Sequence, residues 1–217
     1  MPVAGVSTGT NNTFPEHREP TITGLAAGLA VMQRVPSEIA FVANKWLEVT
    51  VDEAREIALV DVAFVTDGYV GARALWRSET FRELYVSFAD PQAIGLSAIA
   101  GLIEPVGRRE AFGLMLRLAP AERSRHRLLA PIAPGLIDLI GVDEWHRLPP
   151  GVPTLPRLKA GSIALDGERE IFIREHQRVA VTLVADAFRT VDVSAVMHFA
   201  AAERLLQTTA SLTAALA

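Results

Sequence analysis

Apolar and polar positions change their period several times along the 217 residues, and each change marks an element. Pro2 to Val6 is a short apolar run that predicts a buried strand, and Ser7 to Asn12 turns the chain through Gly9, a residue free to take positive φ. Glu19 is placed to cap and Pro20 to occupy the first helical position of Thr21 to Arg34, where Ile22, Leu25, Ala26, Leu29 and Met32 recur at helical spacing. Strand, polar loop and helix thus follow one another. Lys45 to Asp52 then alternates, with Leu47, Val49 and Val51 on one face and Glu48, Thr50 and Asp52 on the other. Ile57 to Val65 is almost wholly apolar, which predicts a strand buried on both faces, interrupted by Asp61. After Gly68 and Gly71 the pattern predicts a helix over Ala72 to Glu83 and a strand over Leu84 to Phe88, ending at Asp90-Pro91. The segment AIGLSAIAGLIEPV that follows is small, apolar and broken by glycine, and its period fits neither element cleanly.

From Gly113 the runs shorten and are bounded by Gly, Pro or Asp: GLMLRLA, RLLAPIAP, GLIDLIGV, GSIALDGEREIFI and RVAVTLVADA. That is the pattern of antiparallel, sandwich-like β structure. Asp166-Gly167, between Ile163-Ala164-Leu165 and Ile171-Phe172-Ile173, predicts a hairpin with a two-residue tip at positive φ. Pro149 to Pro156 reads as a stiff exposed loop, and Val193 to Leu216 as a closing helix. The fold class expected is α+β: residues 1–44 as one residual βα unit of a nucleotide-binding domain, 45–190 as a β-rich domain, and 191–217 as a helix returning to the N-terminal part.

Composition narrows the functions. Half the residues are hydrophobic, enough for a sizeable core. A net charge of −4, with the arginines scattered, argues against a nucleic-acid surface. No cysteine is present, which excludes disulfides, zinc-thiolate sites and a cysteine nucleophile. His17, His126, His146, His176 and His198 share no metal-ligand spacing. Neither a signal peptide nor an apolar run of membrane-spanning length is apparent, so a cytoplasmic protein without a membrane partner is expected. An aspartate within the run Ile57 to Val65 is costly unless it is paired or opens to a cleft, and Arg73 is one candidate partner. Asp166-Gly167 makes a hairpin whatever else it does. Arg108-Arg109 is either a phosphate contact or a solvated surface pair.

Four stretches, STGTNNTFPEHREPTITGLAAGL, ALVDVAFVTDGYVGARALW, DPQAIGLSAIAGLIEPV and GSIALDGEREIF, together resemble the NAD kinase and diacylglycerol kinase-like superfamily, most closely the acetoin catabolism protein X branch of ATP-NAD kinase-like proteins. The resemblance implies a β-rich domain of the NAD kinase C-terminal type. It also implies transfer of the ATP γ-phosphoryl group to the 2′-hydroxyl of NAD, forming NADP, with ATP, NAD and Mg²⁺ as the small-molecule partners. By the same resemblance Thr8, Gly9, Thr10, Asn11 and Asn12 form a nucleotide loop, Ser97, Ala98 and Gly101 line the cleft, and Asp166-Gly167-Glu168 matches the Asp-Gly-Glu of the lipid kinases, whose aspartate is a candidate base. Val60-Asp61 falls where NAD kinases carry Asn followed by Glu or Asp; Asp61 matches and Val60 does not.

Such kinases also carry a Gly-Gly-Asp-Gly phosphate loop, which is absent here. The expectation is therefore a C-terminal portion of such a protein, without turnover on its own. Two alternatives stay open: a non-catalytic nucleotide-binding or regulatory module, and a fragment of a lipid or small-alcohol kinase. The kinase reading requires Thr10, Asn12, Asp61 and Asp166 to converge on one cleft. It also leaves apolar surface beside Pro2 to Val6 and the first helix, from which a homo-oligomer is expected.

Overall fold

The computed structural model describes residues 1–6, 18–66 and 80–208, an α+β protein rich in antiparallel strands. It has two compact units, Met1–Ala43 with Phe188–Ala217, and Asn44–Ala187.

In the first unit, helix α1 (Pro20–Val31) begins as the pattern predicts. Pro20 occupies the first turn, the Glu19 carboxylate accepts from the Ile22 N–H at 3.2 Å, and the Thr21 hydroxyl adds a second bond to it at 3.1 Å. Ala26, Leu29 and Ala30 pack with Val35, with Ala40 of the short helix α2 (Ser37–Ala40), and with Val193, Val196 and Ala200 of helix α4 (Val193–Ala202). Asp192 caps α4 through the Ala195 N–H, at 3.0 Å. The helix expected to run to Leu216 ends at Ala202. Arg204 turns to φ 54°, and the Leu205 N–H closes on the Ala200 carbonyl at 2.9 Å, the wrap of a left-handed C-terminal cap. Residues 209–217 lie outside the described residues.

Pro2 to Val6 is not a buried strand. Val3 makes one parallel bridge to Thr190, its N–H donating to the Arg189 carbonyl and its carbonyl accepting from Val191, and its side chain stays 50% exposed. So short a run, joined at a single residue, covers nothing. With Val3, Ile22, Leu25, Val31 and Met32 all standing exposed, we expect self-association. Light scattering at micromolar concentration should give a dimer or larger; a clean monomer would contradict this.

The second unit is built on a seven-stranded antiparallel sheet in the order β6-β7-β5-β4-β3-β8-β9: β3 (Asp61–Val65), β4 (Phe81–Val86), β5 (Gly113–Ala119), β6 (His126–Ala133), β7 (Leu136–Leu148), β8 (Gly161–Leu165) and β9 (Arg169–Ile173). A three-stranded sheet holds β10 (Val179–Val191), β1 (Phe41–Val51) and β2 (Ala54–Ala58), in that order. Strand alternation divides the core. Val62 and Phe64 point with Tyr85, Met115, Ile163 and Leu165 toward Leu47, Val49 and Val51 of β1, the predicted inward face. Ala63 and Val65 point the other way, with Leu84, Val86 and Leu114, into a second core covered by helix α3 (Leu96–Ile103).

Three expectations are corrected here. The apolar run Ile57 to Val65 is two strands, because the chain leaves one sheet after Ala58, whose partner is Leu47, and enters the other at Asp61, whose partner is Val86. The end of the helix expected over Ala72 to Glu83 is strand: β4 pairs with both β3 and β5, and Glu83 is buried. Its carboxyl oxygens accept from the Tyr85 hydroxyl at 2.8 Å and from the backbone N–H groups of Arg157 and Leu158, so both are satisfied inside the core. Residues 72–79 of that predicted helix lie outside the described residues, as do 67–71 before them.

The third correction is at the hairpin tip. Asp166 (φ 54°) and Gly167 (φ 68°) both take positive φ, and the Glu168 N–H closes on the Leu165 carbonyl at 3.1 Å. Leu165 nevertheless pairs with Arg169, so Glu168 is an extra residue and the connection has three, not two. Between Leu96 and Ile103 the ambiguous segment is helix. Residues Leu96 to Gly101 are all buried, and a Cβ on Gly101 would lie 2.5 Å from the Asp90–Pro91 backbone. The glycine thus lets α3 pack directly on the chain that precedes it.

Candidate functional site

The crossing from β2 to β3 is held by one carboxylate. Asp166 accepts from the N–H of Leu59 at 2.9 Å through Oδ2, and from those of Val60 and Asp61 at 2.8 and 3.2 Å through Oδ1. In return the Asp166 N–H donates to the Asp61 carbonyl at 3.0 Å. These three successive N–H groups have left one sheet ladder for another, and the carboxylate supplies the acceptors the corner lacks. The opposite side of the corner is tied to the end of β4: the Ser87 N–H donates to the Val60 carbonyl at 2.9 Å and its hydroxyl to the Leu59 carbonyl at 2.6 Å.

The corner sets Asp61 at the head of β3, on the face shared with Ala63 and Val65 and therefore on the α3 side of the sheet. The residue is 8% exposed, and its Oδ1 is buried without a hydrogen-bond partner among the described residues. Burial, and then the neighbouring Asp166 carboxylate, push the Asp61 carboxyl up to about 7. The two carboxylates expected to converge are therefore adjacent, but they differ in kind. The oxygens of Asp166 are engaged by backbone, whereas Oδ1 of Asp61 is buried with no hydrogen-bond partner among the described residues.

The remaining candidates fall as follows. Ser97 is buried in the first turns of α3 and its hydroxyl donates to the Phe88 carbonyl at 3.4 Å, one residue beyond Ser87. Gly101 lies a turn further along the same helix, against Asp90-Pro91. Gly167 has open space around the position a Cβ would take, so what it provides is the positive φ of the turn. Glu168 is exposed. Thr8, Gly9, Thr10, Asn11 and Asn12 lie outside the described residues, as does Arg73. Among the described residues no group of three or more His, Asp or Glu could hold a metal ion.

Sequence reasoning passed over Ser87, Phe88 and Lys45. Ser87 had a weak signal, as a hydroxyl closing the apolar run LYVSFAD. Lys45 had none. It continues the buried face of Leu47 and Val49, and its ammonium donates to the carbonyls of Gly107, Glu110 and Phe112 at 3.1, 2.7 and 2.7 Å. Burial lowers its pKa to about 8, against the opposing attraction of Glu110.

Residues 45–186 match the family model of the acetoin catabolism protein X C-terminal domain. The chain is also similar to acetoin catabolism protein X of Cupriavidus necator, with 49% identity over 212 residues. That alignment takes in 95% of this chain and 59% of the relative's length. Among the described residues no helix is long and apolar enough to cross a membrane.

Proposed function

Because this chain belongs to the acetoin catabolism protein X family, and its Asp61 presents a buried oxygen that binds a proton near neutrality, we propose that it carries the hydroxyl-activating half of a nucleotide phosphotransferase site. The reaction proposed is that of an ATP-NAD kinase-like protein. The 2′-oxygen of the NAD adenosine ribose forms a bond to the γ-phosphorus of ATP, the bond from that phosphorus to the bridging oxygen of ADP breaks, and the hydroxyl proton passes to Asp61.

A base whose pKa lies near the working pH combines a usable ionised fraction with enough basicity to take the proton, and Asp61 has that property where an ordinary carboxylate would not. Asp166 acts through Asp61 as a positioning residue: it fixes the backbone that aims the base, and its charge raises the base's proton affinity. Ser87 ties the corner that carries Asp61 to the end of β4, and Ser97 ties α3 to the Phe88 carbonyl. Mg²⁺, carried on the phosphates, would neutralise their charge as the group transfers.

One observation favours a second reading, a nucleotide-binding module without turnover. Val60 is buried where the kinases carry an amide, so that position offers a nicotinamide or ribose group no side-chain hydrogen bond. Calorimetry tests the proposal. The isolated chain should bind ATP and NAD weakly and only with Mg²⁺, and Asp61→Asn should remove that binding. Tight, metal-independent NAD binding that survives Asp61→Asn would overturn it. Metal-dependent binding with no NADP formed by the full-length protein would favour the module.

A further inference from the structure

We infer that the turn between α3 and β5, residues 107–112, is a cage for a univalent cation, and that the Lys45 ammonium is its resident ion. Nothing in it depends on the nucleotide reading.

Three carbonyl oxygens of this turn meet at one point. Those of Gly107, Glu110 and Phe112 lie 3.1, 2.7 and 2.7 Å from the Lys45 nitrogen, which reaches them from β1, more than sixty residues earlier in the chain. Carbonyl dipoles aimed at a common point repel one another, so a turn keeps this shape only around positive charge, as the carbonyl rings of ion filters do. The ammonium brings three N–H donors to three acceptors, and each bond is charge-assisted. A water molecule has two protons for those three oxygens and no charge.

The turn adds a carboxylate. A Cβ placed on Gly107 would lie 3.8 Å from the Glu110 carboxyl carbon, so that side chain folds back over the start of the turn. Its charge supports the ammonium against the burial that lowers the Lys45 pKa to about 8, and at neutral pH the group stays charged. In other respects the segment is conventional: the Glu110 N–H donates to the Gly107 carbonyl at 3.2 Å, and Val106 exchanges two backbone bonds of 2.9 Å with Ala89. Convergence of the oxygens sets it apart, and convergence is what recognises a cation.

The donor set also chooses the ion. Neutral carbonyl oxygens with a single carboxylate beside them suit potassium or ammonium, which are nearly equal in size and exchange hydration water for carbonyls, whereas calcium sites gather several carboxylates. Lys45 provides such an ion already tethered, so the wild-type cage is filled whatever the salt. Without its ammonium the turn becomes a site for the free ion.

Thermal melts of wild type and Lys45→Met at pH 7, in potassium, ammonium and tetramethylammonium chloride at matched ionic strength, test this. Methionine keeps most of the buried stem and removes the charge. In tetramethylammonium, too large for the cage, the variant should melt below wild type. It should gain about 3–6 °C once potassium or ammonium stands at about tenfold excess over its dissociation constant. Wild type should melt alike in all three salts, and adding Glu110→Gln to the variant should shrink the gain. A variant that folds in potassium but not in tetramethylammonium gives the same result in stronger form. Equal melting of the variant in the three salts, failure to fold in any of them, or a wild type as cation-sensitive as the variant would overturn the inference. Nitrogen-15 NMR of the wild type adds a readout that needs no variant: the Lys45 ammonium protons should exchange with water more slowly than those of Lys159, which donates to the Pro156 carbonyl at 3.3 Å. Equal exchange would also overturn it.

Discussion

Replacing Asp61 by asparagine should stabilise the fold by up to about 4 kcal/mol above neutral pH while abolishing ligand binding. In the unfolded chain this carboxyl loses its proton near 3.8; in the fold it keeps the proton to about 7. Between those values the folded state binds the extra proton, so the stability of the wild type falls as pH rises through the window, and the full penalty of a buried charge is present above 7. The interval corresponds to about 4 kcal/mol at most. Asparagine has nearly the shape of the protonated acid and does not ionise, so its stability lacks this fall. Urea unfolding at about pH 4 and about pH 8 should therefore show near-equal stability at the lower pH and a more stable variant at the higher. Wild type and variant following parallel curves would show that Asp61 is an ordinary carboxylate. A gain in stability coupled to a loss of function is the expected mark of a group held in its place for chemistry.

Asp166→Ala should act in the opposite direction, destabilising the chain by about 3–5 kcal/mol. Three N–H groups at the β2–β3 corner lose their acceptor, each at about 1 kcal/mol, the low end of the range because the corner is partly open to water, and an alanine at φ 54° adds about 1–2 kcal/mol. Against a total stability of order 5–15 kcal/mol for a domain, that loss is a large fraction. Asp166→Asn keeps one oxygen acceptor and tolerates the turn, so its loss should stay below about 2 kcal/mol. Urea denaturation of both variants checks the order. An alanine variant within about 1 kcal/mol of wild type would mean that the corner stands without this carboxylate.

Several of these features could be read from residues alone. The alternation of Leu47, Val49 and Val51 announces a half-buried strand because its period has one structural meaning. Asp166-Gly167 announces a turn because few residues accept positive φ in succession. Asp61 stands out because a carboxylate among Ala, Leu and Val needs a reason. What Asp166 does with its side chain could not be read, since its partners at 59–61 lie more than a hundred residues away and are backbone groups without a sequence signature. The break between Ala58 and Asp61 was hidden for a related reason: a continuous apolar run looks the same whether one strand is buried throughout or the chain crosses between two sheets. The segment around Leu96 to Gly101 gives no clear period because all six of these residues are buried and none forms a solvent-facing polar stripe. Lys45 carries no signal in the sequence, and only the fold reveals three carbonyls around it.

Asp61 holds its proton to neutrality while Asp166 is engaged by the backbone. Carbon-13 NMR of side-chain carboxyl carbons, with Asp61 assigned by its loss in Asp61→Asn, measures this directly. The structure predicts a titration midpoint for Asp61 near 7, moving downward in Asp166→Asn as the neighbouring charge is removed. A midpoint near the ordinary 3.8, unaffected by that substitution, would contradict it.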